Sequence, residues 1–215
     1  MKLRIVALDT TSEHGSLALL EDGLIVEEFT LHAPDGFGHV LFPTLSALME
    51  RHGWTHESVT GYAAGAGPGS FTGVRVGLAA VKGLAEAAGA KAAGVSNLRA
   101  MASYGSAAIR APFYDARRNE IYGGVFDASL NGLRDEVVSP LERWLGELPK
   151  GDVELMTPDP AMFEAALRGH QVTATPRALA GAIAKIAMTE LTDPAAIDAN
   201  YVRRSDAELH WKDHG

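Results

Sequence analysis

Leu3 to Leu8 is a nearly continuous apolar run that ends in Asp9-Thr10-Thr11-Ser12, the pattern of a buried strand entering a polar turn. After Glu13-His14-Gly15, the run Ser16 to Leu20 predicts a second strand. Glu21-Asp22-Gly23 is a hairpin signal, and Leu24 to Leu31 predicts a third. Gly36 to Gly38 breaks the pattern. Val40, Leu41, Thr44, Leu45, Leu48 and Met49 then recur at helical spacing up to Gly53, with Pro43 acceptable only in the first turn or at a kink. A short strand at Val59 to Ala66 leads into Gly67-Pro68-Gly69-Ser70-Phe71-Thr72-Gly73, and a helix is predicted from Phe71 to Ala88. Lys91 to Ser96 is another strand and Asn97 to Gly105 another helix.

From Arg110 the pattern restarts. Ala111 to Asp115 is apolar and ends in an aspartate, as the first strand does, and Ala116-Arg117-Arg118-Asn119 separates it from a strand at Glu120 to Asp127. Asp9 and Asp115 therefore hold equivalent places in two strand–hairpin–strand units, a weak internal repeat. Helices at Leu141 to Leu148, Ala161 to His170 and Arg177 to Leu191 alternate with strands at Val153 to Thr157 and Gln171 to Ala174, before an irregular tail. Antiparallel strands followed by alternating helices and strands, given twice, predict two similar α/β lobes. The boundary is expected near residues 105 to 110, giving a first lobe of 1–107 and a reduced second lobe of 108–215 with the tail.

Composition narrows the function classes. The 215 residues are 47% hydrophobic and 21% charged, as in an ordinary soluble globular protein. No apolar run approaches the roughly 20 residues that cross a bilayer. The run behind Lys2 and Arg4 stops at Asp9, too soon for a signal-peptide core. There is no cysteine, hence no disulfide and no thiolate metal site, which fits a cytoplasmic protein. A net charge of −8 argues against a protein that grips nucleic acid alone.

The Gly-Pro-Gly loop places backbone freedom at the mouth of a helix. Gly67 and Gly69 accept positive φ, Pro68 removes a donor, and Ser70 or Thr72 can cap the helix that follows. Such an end suits a phosphate, a carboxylate or a neighbouring chain.

Leu8-Asp9-Thr10-Thr11, then Gly67-Pro68-Gly69-Ser70-Phe71-Thr72-Gly73-Val74-Arg75, then Asp115-Ala116-Arg117-Arg118-Asn119-Glu120-Ile121-Tyr122 occur in order, and Tyr201-Val202-Arg203 with Trp211-Lys212 ends the chain. Together these four landmarks closely resemble the TsaB family, bacterial partners in making the threonylcarbamoyladenosine of tRNA. The resemblance implies a two-lobed α/β fold of the actin-like ATPase class (ASKHA, ribonuclease H-like), shared with sugar kinases. It further implies a subunit that is not the catalyst but binds and stabilises its relative TsaD, in a complex with the small ATPase TsaE. On this chain the family's contact helices correspond to Gly38 to Arg51 and Phe71 to Ala88. The expected interface residues are His39, Leu41, Leu45, Leu48, Gly73, Val74, Gly77 and Val81. tRNA would be met indirectly through the complex, and the chain alone could pair with a second copy.

The competing reading is an ATP-dependent enzyme of the same superfamily. Asp9 would hold hydrated Mg²⁺ while Thr10, Thr11 and Ser12 bond the phosphates of ATP or ADP. The plain alternative is a polar turn that bonds its own backbone. No Gly-x-x-x-x-Gly-Lys-Ser/Thr string is present, and Gly65 to Gly73 does not satisfy Gly-x-Gly-x-x-Gly. TsaD carries a His-x-x-x-His metal pair. His52 and His56 have that spacing here, but Gly53-Trp54-Thr55 breaks the helix between them, and His39 is followed four residues on by Pro43. No metal site is expected. Ser12 and Ser70 lack a Gly-x-Ser-x-Gly elbow, so neither is expected to be a nucleophile.

Glycines inside the second helix cost roughly 1 kcal/mol each against alanine, which points to close backbone approach. The neighbour is either the chain's own sheet or a partner helix. Arg117 and Arg118 either pair with Asp115 or Glu120, or present guanidinium groups to a phosphate or a partner carboxylate. Arg203 and Arg204 near the end are either a partner or tRNA contact or a solvated basic pair.

Overall fold

The computed structural model describes residues 2–202. Sequence landmarks beyond them, namely Arg203, Arg204, Trp211 and Lys212, lie outside the described residues.

Two compact units are present. The first comprises Met1–Ala100 with Pro176–Ala199, and the second takes in Met101–Thr175. The first begins with β1 Arg4–Asp9, β2 His14–Glu21 and β3 Leu24–His32. It continues with α1 Leu41–Arg51, β4 Gly61–Gly67, α2 Phe71–Ala88 and β5 Lys91–Ser96. The helix α3, Asn97–Ala102, follows at the junction of the two units in sequence. The second unit holds β6 Ile109–Asp115, β7 Ile121–Asp127, β8 Gly132–Ser139, α4 Leu141–Gly146, β9 Val153–Thr157 and β10 Gln171–Ala174. The last helix, α5 Ala180–Ala187, belongs to the first unit.

Each unit is built on a five-stranded sheet. The orders are β3-β2-β1-β4-β5 and β10-β9-β6-β7-β8. Counted from its own first strand, each sheet runs third, second, first, fourth, fifth, with the first strand antiparallel to the second and parallel to the fourth. The repeat read from the two aspartates is thus a repeat of topology.

In the first unit, β1 is central and its apolar run is buried on both faces. Val6, Leu8, Leu17 and Leu19 join one core with Leu41, Leu45 and Leu48 of α1 and Val74, Leu78 and Val81 of α2. Both helices therefore cover the same face. Pro43 falls in the first turn of α1, where its missing donor is harmless. Helix α2 is capped by Ser70, whose hydroxyl accepts from Gly73 N–H, and ends at Gly89 in the left-handed conformation. Helix α5 has its first donors satisfied by other strands. Ser16 Oγ accepts from Leu179 and Ala180 N–H at 3.1 and 3.0 Å, and Glu28 Oε1 from Gly181 N–H at 2.8 Å.

The second core gathers Phe113, Ile121, Val125, Leu155 and Leu167 beneath Trp144 of α4. Glu154 is buried here. Its two oxygens accept from Ser106 and Ala107 N–H at 2.7 and 2.8 Å and from the Thr173 hydroxyl at 2.5 Å.

Four expectations are corrected. The strand β8 was not foreseen, because its first half is exposed and polar. The helix expected at Ala161 to His170 is a single 3-10 turn at Pro160–Phe163. Of 161–170 only Leu167 is buried, too narrow a stripe to hold a longer helix against a sheet. The helix expected at Arg177 to Leu191 is limited to Ala180–Ala187. Finally, the split at 107/108 does not describe the units. The contact boundary follows Ala100, and residues 176–199 return to the first unit through the bonds of Ser16 and Glu28.

Candidate functional site

The turn after β1 and the Gly-Pro-Gly loop are tied into one buried knot. Asp9, Thr10 and Thr11 are all buried. Asp9 Oδ1 accepts three hydrogen bonds, from Thr11 N–H at 3.0 Å, the Thr11 hydroxyl at 2.7 Å and the Asn97 amide at 3.1 Å. The same Asn97 amide donates to Thr11 Oγ1 at 2.8 Å, and Asn97 Oδ1 accepts from Gly67 N–H at 3.1 Å. The Thr10 hydroxyl donates to Gly73 O at 2.7 Å, and Ser70 N–H donates to Thr11 O at 2.7 Å. Burial pushes the Asp9 carboxyl above the ordinary carboxylate range, against the opposing pull of the Thr11 and Asn97 donors.

This knot explains the glycines of the loop and helix. A Cβ on Gly73 would stand 2.0 Å from Thr10 O, and one on Gly77 would stand 2.6 Å from Thr10 Oγ1. A Cβ on Gly69 would meet Thr11 O at 2.6 Å. The close approach inferred from glycine inside α2 is therefore to this chain's own first hairpin.

The nucleotide reading of Asp9, Thr10, Thr11 and Ser12 does not fit this geometry. The two threonine hydroxyls are spent inside the knot and the carboxylate is enclosed. Ser12 is exposed, but its hydroxyl donates to His14 O and accepts from His14 N–H. These residues form a polar turn bonded to itself.

The expected interface residues are also redistributed. Leu41, Leu45, Leu48, Gly73, Val74, Gly77 and Val81 are all buried within the first unit, and only His39 is exposed. Those seven hold α1 and α2 to the sheet. The outward faces carry different residues. Val40, Phe42 and Phe71 are exposed large hydrophobics, Phe42 at 49%. Ala47, Ala79 and Gly83 are exposed further along the two helices, and a Cβ on Gly83 would meet nothing within 4 Å. The Arg75 guanidinium lies 3.6 Å from the centre of the Phe71 ring. Helical periodicity marks two faces of such helices, and taking the more apolar one as the contact face selects the core.

In the second unit the hairpin at Asp115 repeats the first bond. Asp115 Oδ1 accepts from Arg117 N–H at 2.9 Å, as Asp9 does from Thr11. Arg117, Arg118 and Asn119 have φ of 66, 58 and 61°, three successive non-glycine residues in the left-handed region. Such residues cost on the order of 1–3 kcal/mol each. All three are exposed.

The histidines are engaged elsewhere. His52 Nε2 lies 2.6 Å from Glu27 Oε2, and His56 Nδ1 lies 3.0 Å from the Tyr62 hydroxyl, whose pKa burial pushes up to about 12. Among the described residues, no three His, Asp or Glu side chains gather closely enough to hold one metal ion. Nor is any described helix long and apolar enough to cross a membrane.

Comparison with known proteins gives the following. The family model described as TsaD, tRNA N6-adenosine threonylcarbamoyltransferase, matches residues 33–207. The tRNA threonylcarbamoyladenosine biosynthesis protein TsaB of Escherichia coli is 35% identical over 136 residues, 61% of this chain and 58% of that protein. The match thus spans little more than half of that relative. A Pseudomonas aeruginosa protein described as similar to peptidase YEAZ superposes with a TM-score of 0.79 at 25% identity, covering 94% of this chain and 100% of that one. The activator of 2-hydroxyisocaproyl-CoA dehydratase from Clostridium difficile, solved with ADPNP, superposes at 0.53 with 10% identity, over 88% of this chain and 95% of that one, a likeness of fold alone. With the paired sheets, these superpositions give the fold as a two-lobed α/β fold of the actin-like ATPase class.

Proposed function

We propose a function from the premise that this chain belongs to the TsaD family, that of a tRNA N6-adenosine threonylcarbamoyltransferase. Within it the chain serves tRNA threonylcarbamoyladenosine biosynthesis as a non-catalytic subunit. It docks on TsaD through the outward faces of α1 and α2, works in a complex with TsaE in the cytoplasm, and meets tRNA through that complex. Its relative named TsaB supports the pathway. The closed knot at Asp9 supports the absence of a catalytic role, since the hairpin that would face a nucleotide phosphate is bonded inward.

The observation that carries the docking surface is the apolar outward face of two helices that share one side of the sheet. Val40 and Phe42 are exposed at the start of α1 and Phe71 at the start of α2, and further along α2 Gly83 has open space above it. Small residues let a partner helix approach closely, and exposed aromatics supply the buried area that stabilises association. The same face would serve a second copy of this chain when TsaD is absent.

Size-exclusion chromatography of the chain with TsaD tests this. Phe42→Asp and Gly83→Arg each change an outward position and should abolish co-elution while the isolated variants keep the wild-type circular dichroism spectrum. Co-elution of both variants with TsaD would overturn the surface.

A further inference from the structure

We propose that His14 and His32 form a chelating site for a divalent transition-metal ion of the zinc class, at the end of the β2–β3 ladder. The site stands apart from the docking faces of α1 and α2 and does not depend on them. The two histidines lie 18 positions apart in sequence but are direct partners in the antiparallel register. Spacing along the chain therefore could not reveal them. Direct partners on antiparallel strands hold their Cβ atoms about 4.5–5.5 Å apart, which lets two imidazoles reach one ion.

The ring geometry carries the assignment. The two Nδ1 atoms are 3.2 Å apart, while the ring centroids are 4.8 Å apart and the planes differ by 24°. The nitrogens are thus the near points of two rings that diverge behind them. Rings laid face to face would keep nitrogens and centroids at similar separations. Zinc–imidazole bonds of about 2.0–2.1 Å to nitrogens so placed close an N–Zn–N angle of about 100°, near the tetrahedral value.

The surroundings suit an ion. As the pair stands, one Nδ1 is the donor and the other the acceptor. On binding, that proton passes to Nε2 of its own ring, both Nδ1 lone pairs turn to the metal, and two of its waters leave. Glu13 Oε1 stands 3.6 Å from His14 Nε2. A carboxylate behind a metal-bound imidazole orients the ring and raises its basicity. The His14 side chain is 38% exposed and His32 is exposed, so water can complete the coordination. Among the described residues no third His, Asp or Glu closes the site, which makes it open and exchangeable. Imidazole pairs of this kind take Zn²⁺, Ni²⁺ or Cu²⁺ and leave Mg²⁺ and Ca²⁺ to oxygen ligands.

The position gives the ion structural leverage. Strand β3 is an edge of its sheet. Just past His32 the chain leaves for α1, held to the first hairpin where Ala33 N–H donates to Glu13 O at 2.9 Å. A metal on His14 and His32 ties the edge strand to β2 at that exit.

Isothermal titration of the full chain with Zn²⁺ at pH 7 tests the site. The parent for the comparison carries His210→Ala and His214→Ala, which removes two histidines outside the described residues. It should bind one Zn²⁺ at this site, and His14→Ala and His32→Ala should each weaken that binding at least tenfold while keeping the parent's circular dichroism spectrum. Because the ion binds the folded chain, Zn²⁺ should also raise the parent's melting midpoint and leave both variants unmoved. Excess Mg²⁺ should not compete. Absence of Zn²⁺ binding by the parent, or parent-like affinity in either variant, overturns the chelate. Competition by Mg²⁺ would assign the ion to carboxylates and overturn it as well.

Discussion

Gly73→Ala puts a methyl group where the structure has no room. Its Cβ would stand 2.0 Å from Thr10 O and 3.1 Å from Thr10 C, both backbone atoms of a buried turn. Relieving the clash means moving the start of α2 from the end of β1 by about 1 Å or more, because carbon–oxygen contacts settle near 3.2 Å. That movement strains the 2.7 Å bond from the Thr10 hydroxyl to Gly73 O and the 2.7 Å bond from Ser70 N–H to Thr11 O. Overpacking costs about 1–3 kcal/mol, and each buried hydrogen bond lost adds about 1 kcal/mol. Helix propensity acts in the opposite direction, favouring alanine by about 1 kcal/mol. The balance is a loss of about 1–3 kcal/mol. Gly83→Ala isolates the propensity effect in the same helix, since nothing stands within 4 Å of its Cβ, and it should stabilise by about 1 kcal/mol. In thermal melts of the purified chain, each kcal/mol moves the midpoint by about 2–4 °C. The two alanine variants should therefore shift it in opposite directions. A Gly73→Ala midpoint at or above wild type would refute the knot as the reason for that glycine.

Two further outcomes follow from buried carboxyls. Burial raises the pKa of Asp9, so ionising it costs stability as pH rises through its folded value, and that penalty is absent below the unfolded one. Asp9→Asn keeps an acceptor oxygen without the charge, so urea melts should show it gaining on wild type between pH 4 and pH 8, by at most about 1.4 kcal/mol per pH unit; a pH-independent difference would contradict this. For Glu154 burial also pushes upward, but the Ala107 and Ser106 amides and the Thr173 hydroxyl outweigh it and hold the carboxyl below its ordinary value. Its stabilisation is present above the unfolded value and lost as pH falls through the folded one. Glu154→Gln should cost about 1–3 kcal/mol at pH 7 in the same melts, with the gap closing in acid, and an equal gap at both ends would be the contrary result.

The chain's periodicities were enough to place most strands and the whole of α2, because those elements announce themselves locally. The apolar run into Asp9 marks β1, and Ser70 and Gly89 mark the ends of α2. What failed locally was decided at long range. Helix α5 starts where Ser16 and Glu28 supply acceptors, more than 150 residues away in sequence, and nothing beside Ala180 signals it. Strand β8 was hidden by the polar side chains of an exposed half. Within the site, Asp9 and the loop glycines were legible each as a separate feature, but not their junction, nor Asn97, which read only as the start of a helix. The interface residues were misassigned for a physical reason. On helices covering a sheet, the regular apolar stripe of Leu41, Leu45 and Leu48 is the core, and exposed apolar residues such as Phe42 stand as isolated exceptions on the other side.

The central claim is that the outward faces of α1 and α2 bind TsaD. Isothermal titration of TsaD with the wild-type chain and with Gly83→Arg tests it most directly, because arginine is the better helix former and should raise the melting midpoint of the isolated chain. The account predicts a stabilised variant whose affinity for TsaD falls at least a hundredfold. A stabilised variant that binds TsaD with wild-type affinity would contradict it.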